Sequence, residues 1–417
     1  MPSDNEITPR TPIAWFEAFG VELEYMIVRA DTLDVAPIAD QLLVDDEGQP
    51  SEEIERDDLA WSNELALHVL EMKTNGPVRS LEGLAERFQA DVREANLGLG
   101  LLGTRLMPTA MHPWMRPEAE MKLWPHGYNE VYEAFNKIFD CRGHGWANLQ
   151  STHLNLPFYG DDQFGPLHAA IRLVLPILPA LTASSPWVEG GEAGELDHRL
   201  NVYRHNAAKV PSVSGMVIPE RVYTREDYEQ QILEKIYTDL APHDPGKILR
   251  HEWANARGAI ARFDRSAIEI RVMDVQECPV ADVAICQLVA LVTQALCQQR
   301  WSESDAQKLA TTESLAELLW RVTRTGAQAE ISDPTYLAHF GWQHGTCTAG
   351  QLWKFLAQQT ILETSPFAAT LQTILTRGPL AQRIVEAIGG DSGRLVPTYR
   401  RLCDCLEQGE LFLPETV

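Results

Sequence analysis

Four short segments of this chain set ionisable residues on alternate positions. In FGVELEYMIV, Glu22 and Glu24 fall on one side while Val21, Leu23, Tyr25 and Ile27 fall on the other. In LHVLEMKT, Val69, Glu71 and Lys73 oppose Leu70 and Met72. In NLQSTHLNL, Ser151, His153 and Asn155 oppose Gln150, Thr152 and Leu154, and in AIEIRVMD, Glu269 and Arg271 oppose Ile268, Ile270 and Val272. Successive side chains of an extended backbone point to opposite faces, so this spacing reads as four strands, each with an apolar face and an ionisable one. If the strands share one sheet, the carboxylates converge in one cleft and repel one another unless cations sit between them. Hard oxygen donors with a single imidazole suit Mg2+ or Mn2+, whereas zinc favours more His or Cys. The alternation alone leaves open a plain sheet with one solvated face.

The elements that must carry these residues can be read around them. Strands are expected over 18–28, 65–74, 148–156 and 267–274, the second ended by the turn Asn75-Gly76-Pro77. Ser80 is placed to cap a helix with Leu81, Leu84, Phe88, Val92 and Ala95 at helical spacing. Val131, Phe135 and Ile138 mark another helix, and a charged helical stretch covers 225–237. Segment 184–196, SSPWVEGGEAGEL, reads as a mobile loop and a plausible lid, followed by a second loop over 207–219. From Val280 onward the pattern is helical, and no linker forces a cut. One domain over 1–417 is expected, its motifs within about 15–300 and its helical C-terminal portion over about 280–417.

Composition narrows the function classes. A chain of 417 residues with 45% hydrophobic content can bury a large core. Its 59 acidic against 35 basic residues give a net charge of −24, which repels phosphate backbones and anionic headgroups. Nucleic acid and membrane are therefore not expected partners, although bound cations and local arginines still allow ATP. The N-terminus lacks the pattern of a signal peptide, and the apolar stretch 281–297, interrupted by Gln287 and Gln294, reads as a buried helix. Seven scattered cysteines without zinc spacing suit reduced, buried thiols in the cytoplasm. GLGLLG over 98–103 follows a helix and precedes a strand, the reverse of a dinucleotide fingerprint, and His251-Glu252 lacks the second histidine of a zincin. His112 and His144 are expected to be held by local hydrogen bonds, and Trp15, Trp61, Trp146 and Trp187 to pack in the core rather than wall a pocket.

GVELE (20–24), VLEMKTNGPV (69–78), PTAMHPW (108–114), the His153 strand, ASSPWVEGG (183–191) and IEIRVMDVQECP (268–279) occur in that order. Together they resemble the glutamate–cysteine ligase family of the bacterial carboxylate–amine ligase type. The resemblance implies an α+β fold similar to the catalytic domain of glutamine synthetase and the guanidino kinases: an antiparallel sheet funnel backed by helices. It also implies ATP-dependent joining of a glutamate-type carboxylate to an amine through an acyl phosphate, with two or three Mg2+. By the resemblance, Glu22, Glu24, Glu71, His153 and Glu269 hold metal, and Glu71 and Arg271 serve catalysis. Arg271, Arg199 and Lys73 would contact ATP phosphates or the substrate carboxylate. Two departures stand out. Leu23 occupies a position where many relatives carry a third acid, but on this face assignment it points into the core. His198-Arg199 stands where a serine–arginine pair is usual, which weakens Arg199. A metal-dependent amide or phosphoester hydrolase using the same carboxylates is the competing reading. The expected partners are small molecules, with the amine and the oligomeric state (a homo-oligomer included) left open.

Overall fold

The computed structural model describes residues 13–361 and 364–414. Its centre is an antiparallel sheet of eight strands: β1 (Gly20–Arg29), β2 (Glu53–Arg56), β3 (Leu59–Asn63), β4 (Val69–Thr74), β5 (Thr104–Met107), β6 (Ser151–Pro157), β9 (Ala259–Arg262) and β10 (Ala267–Asp274), with a separate two-residue hairpin of β7 (Trp187–Val188) and β8 (Gly191–Glu192). The order across the sheet is β2-β3-β4-β1-β6-β10-β9, and β5 pairs with the far half of β1. β1, β4, β6 and β10 are thus consecutive neighbours, as a shared cleft requires. The mixed α+β class with an antiparallel sheet agrees with the expectation.

One face of the sheet is apolar because the alternation puts Val21, Leu23, Tyr25 and Ile27 there, each fully buried. They pack with residues of helices Leu84–Gly100, Gly160–Val174 and Pro279–Cys297 in one hydrophobic cluster. Among the described residues, Pro279–Cys297 is the one helix long and apolar enough to cross a membrane, but 78% of it is buried within the protein. A helix apolar all round fits a position inside a core. Leu23 lies in this core, as its face assignment requires.

Some local expectations need correction. β4 starts at Val69, because residues 65–68 turn and bridge to Leu123 through Ala66. Ser80 is not the helix cap: its Oγ accepts from Glu82 N–H, and the helix begins after Gly83, whose φ of 74° suits a residue without Cβ. β3 and β9 were not expected. Every residue of LAWSN and AIAR is buried, so neither shows alternation. Segment 184–196 carries the β7–β8 hairpin and is fastened at its base, where Ser184 and Ser185 donate to Asp274.

Two features shape the polar face. β10 slips against β6: Ile270 faces Leu154 but Met273 faces Thr152, so three steps on one strand match two on the other. Such a bulge re-aims the side chains beyond it. Glu269 stands opposite Asn155 and Asp274 opposite Ser151, which puts both acids on the same face, while Val272 and Met273 join the core. Further along that face, Met26 and Val28 of β1 leave the acids behind. They pack with Met107, Trp187, Tyr399, Leu402 and Phe412 in a second hydrophobic cluster. Helices Leu380–Ile388 and Leu395–Gln408 therefore cover one end of the ionisable face. They are anchored by the fully buried Arg383–Glu277 pair, whose members also hold the backbone of Phe412.

Candidate metal and substrate site

Strand register brings the predicted residues together. Glu22 lies opposite Lys73 on one side and His153 on the other, and Glu24 lies opposite Glu71. His153 Nδ1 is 2.7 Å from Glu22 Oε2 and 3.7 Å from Glu269 Oε1, while Nε2 is 3.6 Å from Glu24 Oε1. Ligand atoms fall into two groups, each within 4.8 Å: Glu22, His153 and Glu269, and Glu24, Glu71 and His153. The surroundings orient these carboxylates. Asn155 Nδ2 donates to Glu22 at 3.0 Å, Ser151 N–H and Oγ donate to Glu24 at 2.7 and 3.1 Å, and Ser62 Oγ donates to Glu71 at 2.7 Å.

The electrostatics are those of crowded acids sharing few cations. Burial lifts the Glu71 carboxyl, helped by Glu22 and Glu24 and opposed by Lys73. Burial also works against the Glu22 carboxylate, yet the hydrogen bond and charge of His153, with Lys73 and Arg265, bring it down to about 2. For His153, burial disfavours the imidazolium, but Glu22, Glu24 and Glu269 outweigh it and raise the group to about 9. A bound cation would take the place of that proton, because a ligand imidazole is neutral. Four carboxylates and one imidazole, mostly buried and preoriented by hydrogen bonds, fit a hard divalent cation such as Mg2+.

Cations flank the acids. Lys73 Nζ is 2.8 Å from Glu53 and 3.2 Å from Glu71. Arg271 donates to Glu269 from both Nε and Nη2, yet its side chain keeps 20% exposure and so reaches the cleft. Arg199 sits differently. It is 1% exposed, with Nε donating to Asp274 and both Nη atoms to the carbonyl of Arg271. The geometry gives it a structural link to Arg271 rather than an open face for phosphate.

Three residues at the site were not anticipated. Glu64 follows β3, and its carboxyl is pushed well up by burial and by the charges of Glu24 and Glu71. Continuing the alternation of Ser62 past the strand end would have found it. Arg262, on the unexpected β9, stands 3.5 Å from Glu269. Asp274 is hidden by the bulge, because strict period two assigns it to the wrong face. His112 and His144 have the expected local partners, Trp114 N–H at 3.3 Å from His112 Nδ1 and Asn148 Nδ2 at 3.1 Å from His144 Nδ1, and distant ones as well, the Leu33 carbonyl at 2.8 Å and Glu189 at 3.3 Å. Trp61 and Trp187 are buried, while Trp15 and Trp146 are half-buried with their N–H groups donating to the carbonyls of Gln163 and Asn206.

Comparison with known proteins agrees with the motif order. The family described as glutamate–cysteine ligase family 2 matches residues 18–402. An uncharacterized protein of Archaeoglobus fulgidus is 36% identical over 277 residues, 66% of this chain and 74% of that one. A Methylibium petroleiphilum protein provisionally named glutamate–cysteine ligase 2 is 28% identical over 208 residues, 47% of this chain and 49% of its own length. Among solved structures, the glutamate–cysteine ligase of Francisella tularensis in complex with AMP superposes with a TM-score of 0.56 at 11% identity, covering 94% of this chain and 89% of that one. A bifunctional glutathione synthetase from Pasteurella multocida gives 0.52 at 14% identity over 93% of this chain, which spans about half of that enzyme (52%). At such identities the likeness establishes the fold alone.

Proposed function

Because the chain belongs to glutamate–cysteine ligase family 2, we propose that it is an ATP-dependent carboxylate–amine ligase acting on a glutamate-type carboxylate. The observation that carries this reading is the pair of donor groups sharing His153 across adjacent strands, with Arg271 and Lys73 alongside. Glu22, Glu24, Glu71, His153 and Glu269 would hold Mg2+, or Mn2+ in its place. The bound metal would supply charge neutralisation and alignment of the ATP phosphates.

A carboxylate does not condense with an amine directly, since oxide is too poor a leaving group. Transfer of the γ-phosphoryl of ATP to a carboxylate oxygen releases ADP and leaves an acyl phosphate. Amine attack on its carbonyl carbon expels inorganic phosphate and forms the amide. Arg271, and Lys73 across the acid cluster, would hold the anionic oxygens through these steps. Glu71 keeps Lys73 in place. Arg199 would act through Arg271 rather than on phosphate itself.

We take the sheet to be the wall of a funnel. The helices packed on the apolar face would stand behind that wall. One catalytic unit over the whole chain suits a hydrophobic cluster that runs from Val21 to Leu406. A cytoplasmic setting goes with ATP use and with seven free, buried cysteines.

The test is phosphate release from ATP and Mg2+ with glutamate, screened against a panel of amines. Release that needs both co-substrates supports the ligase. Turnover of an amide or phosphoester unaffected by omitting ATP would replace it with the hydrolase.

A further inference from the structure

We infer that Asp274 is a positioning residue for Arg271, acting through Arg199, and that the base of segment 184–196 is fastened to the same carboxylate. The inference rests on reading the cleft as the ligase site. Asp274 is fully buried, and both its oxygens are engaged. Oδ2 accepts from Ser184 N–H at 2.8 Å and from Ser185 Oγ at 2.9 Å, while Oδ1 accepts from Arg199 Nε at 2.5 Å. Ser185 Oγ in turn accepts from Arg199 N–H at 3.0 Å. The arginine is therefore fixed by both its backbone and its side chain.

What Arg199 does with its remaining donors gives the network its purpose. Nη1 and Nη2 lie 3.4 and 3.3 Å from the carbonyl oxygen of Arg271, while Arg271 N–H donates to the Gly258 carbonyl at 3.0 Å. Arg271 sits inside the bulge, where the ladder between β10 and β6 is interrupted. Backbone groups at a bulge lose strand partners and must find others if buried. Arg199 supplies one, and Asp274, on the far side of the bulge, holds Arg199. The two ends of the bulge are thus tied through one guanidinium, which sets the height at which Arg271 leaves the strand. A lysine carries the same charge but lacks the planar fork needed to reach both acceptors.

Segment 184–196 is accordingly anchored where it starts. Ser184 Oγ donates to the Val275 carbonyl at 2.8 Å and accepts from Ala110 N–H at 2.9 Å, so strand, loop and the PTAMHPW segment meet at one point. The arrangement explains why ASSPW precedes an arginine-bearing helix, His198–Asn206, in this chain.

The experiment compares Arg199→Lys, Asp274→Asn and Ser185→Ala with the wild-type protein. It reads kcat and KM for ATP-dependent phosphate release, Mn2+ affinity and the melting temperature. Arg199→Lys should lower kcat about tenfold to a hundredfold, as a misplaced catalytic group does, and leave Mn2+ affinity within about twofold. Asp274→Asn, which removes the ion pair, should lose kcat as Arg199→Lys does, and an unchanged kcat there overturns the proposal. Ser185→Ala, which keeps the pair, should show a smaller loss in the same direction. In an Arg271→Lys background, Arg199→Lys should add little further loss, since both changes disable one contact. Losses that multiply in the double variant, or an unchanged kcat in Arg199→Lys, overturn the proposal. A crystal structure of Arg199→Lys needs no turnover and should show Arg271 shifted from Glu269. An unmoved Arg271 overturns the positioning role even if the wild-type protein releases no phosphate, which is instead the failure of the ligase reading.

Discussion

Glu22, half-buried in the cleft, and Asp282, buried in the core, are carboxyl groups on opposite sides of the same sheet, and they behave in opposite ways. Asp282, on helix Pro279–Cys297, accepts from Thr152 Oγ1 and Gln276 N–H. Burial nevertheless carries its carboxyl up to about 8, and its Oδ2 has no hydrogen-bond partner. Glu22 is opposed by the same desolvation but is brought down to about 2 by His153, Lys73 and Arg265. Two neutral donors leave a buried acid protonated, whereas neighbouring cations keep it ionised. Elsewhere on the cleft side, burial first and neighbouring glutamates second raise the carboxyls of Glu64 and Glu71. A divalent ion among these carboxylates would favour their ionised forms.

The contrast can be broken most severely on the cleft side. Glu269→Gln should abolish the proposed turnover, by at least about a hundredfold, because it removes a proposed metal donor and the partner of Arg271. Circular dichroism should show the fold retained, and residual turnover near wild type would refute the metal assignment. Next in size is a change at the apolar end of the same face. Phe412→Ala should cost about 3–5 kcal/mol of stability through the cavity it leaves in the cluster around Met26. Denaturant unfolding would measure that cost, and Mn2+ affinity should hardly move, because the capped end and the acid end are separate regions of β1.

A smaller effect is expected from the ion itself. Mg2+ or Mn2+ at a hundred times its dissociation constant should stabilise the fold by about 2.7 kcal/mol, visible as a rise in melting temperature. Glu24→Gln should reduce that rise. The remaining effect belongs to the helix side and is read in pH rather than in activity. Asp282 titrates at about 8 in the fold against an ordinary value of 3.8, so the folded state holds the proton more tightly. Its contribution to stability is full below about pH 4 and is lost as pH rises through about 8. Asp282→Asn, which keeps an acceptor for Thr152 and Gln276 N–H, should flatten that decline in urea midpoints measured across the range. An unchanged slope would mean that Asp282 is ionised at neutral pH.

The parts of the cleft that were legible in the sequence are those where one face is apolar and the other is not. β1, β4, β6 and β10 show period-two alternation, and their neighbouring glutamates and His153 meet as expected. LAWSN and AIAR, buried on both faces, carry no such signal, so Arg262 arrives unannounced. Asp274 was missed for a more specific reason: one extra residue in β10 reverses the parity while the letters AIEIRVMD still alternate. Arg199 was noticed, but its partner Asp274 was not. The C-terminal helices showed their amphipathic stripes without showing what they cover. Met26 and Val28 continue the face of Glu22 and Glu24, and only the packing reveals that the cleft ends there.

The most direct measurement is inorganic phosphate release by the purified protein with ATP, Mg2+, glutamate and each of a panel of amines, with every component omitted in turn. The account predicts amide formation stoichiometric with phosphate, requiring the nucleotide, the divalent ion and both co-substrates, and absent in Glu269→Gln. Turnover that persists without ATP, or that survives Glu269→Gln, would contradict it.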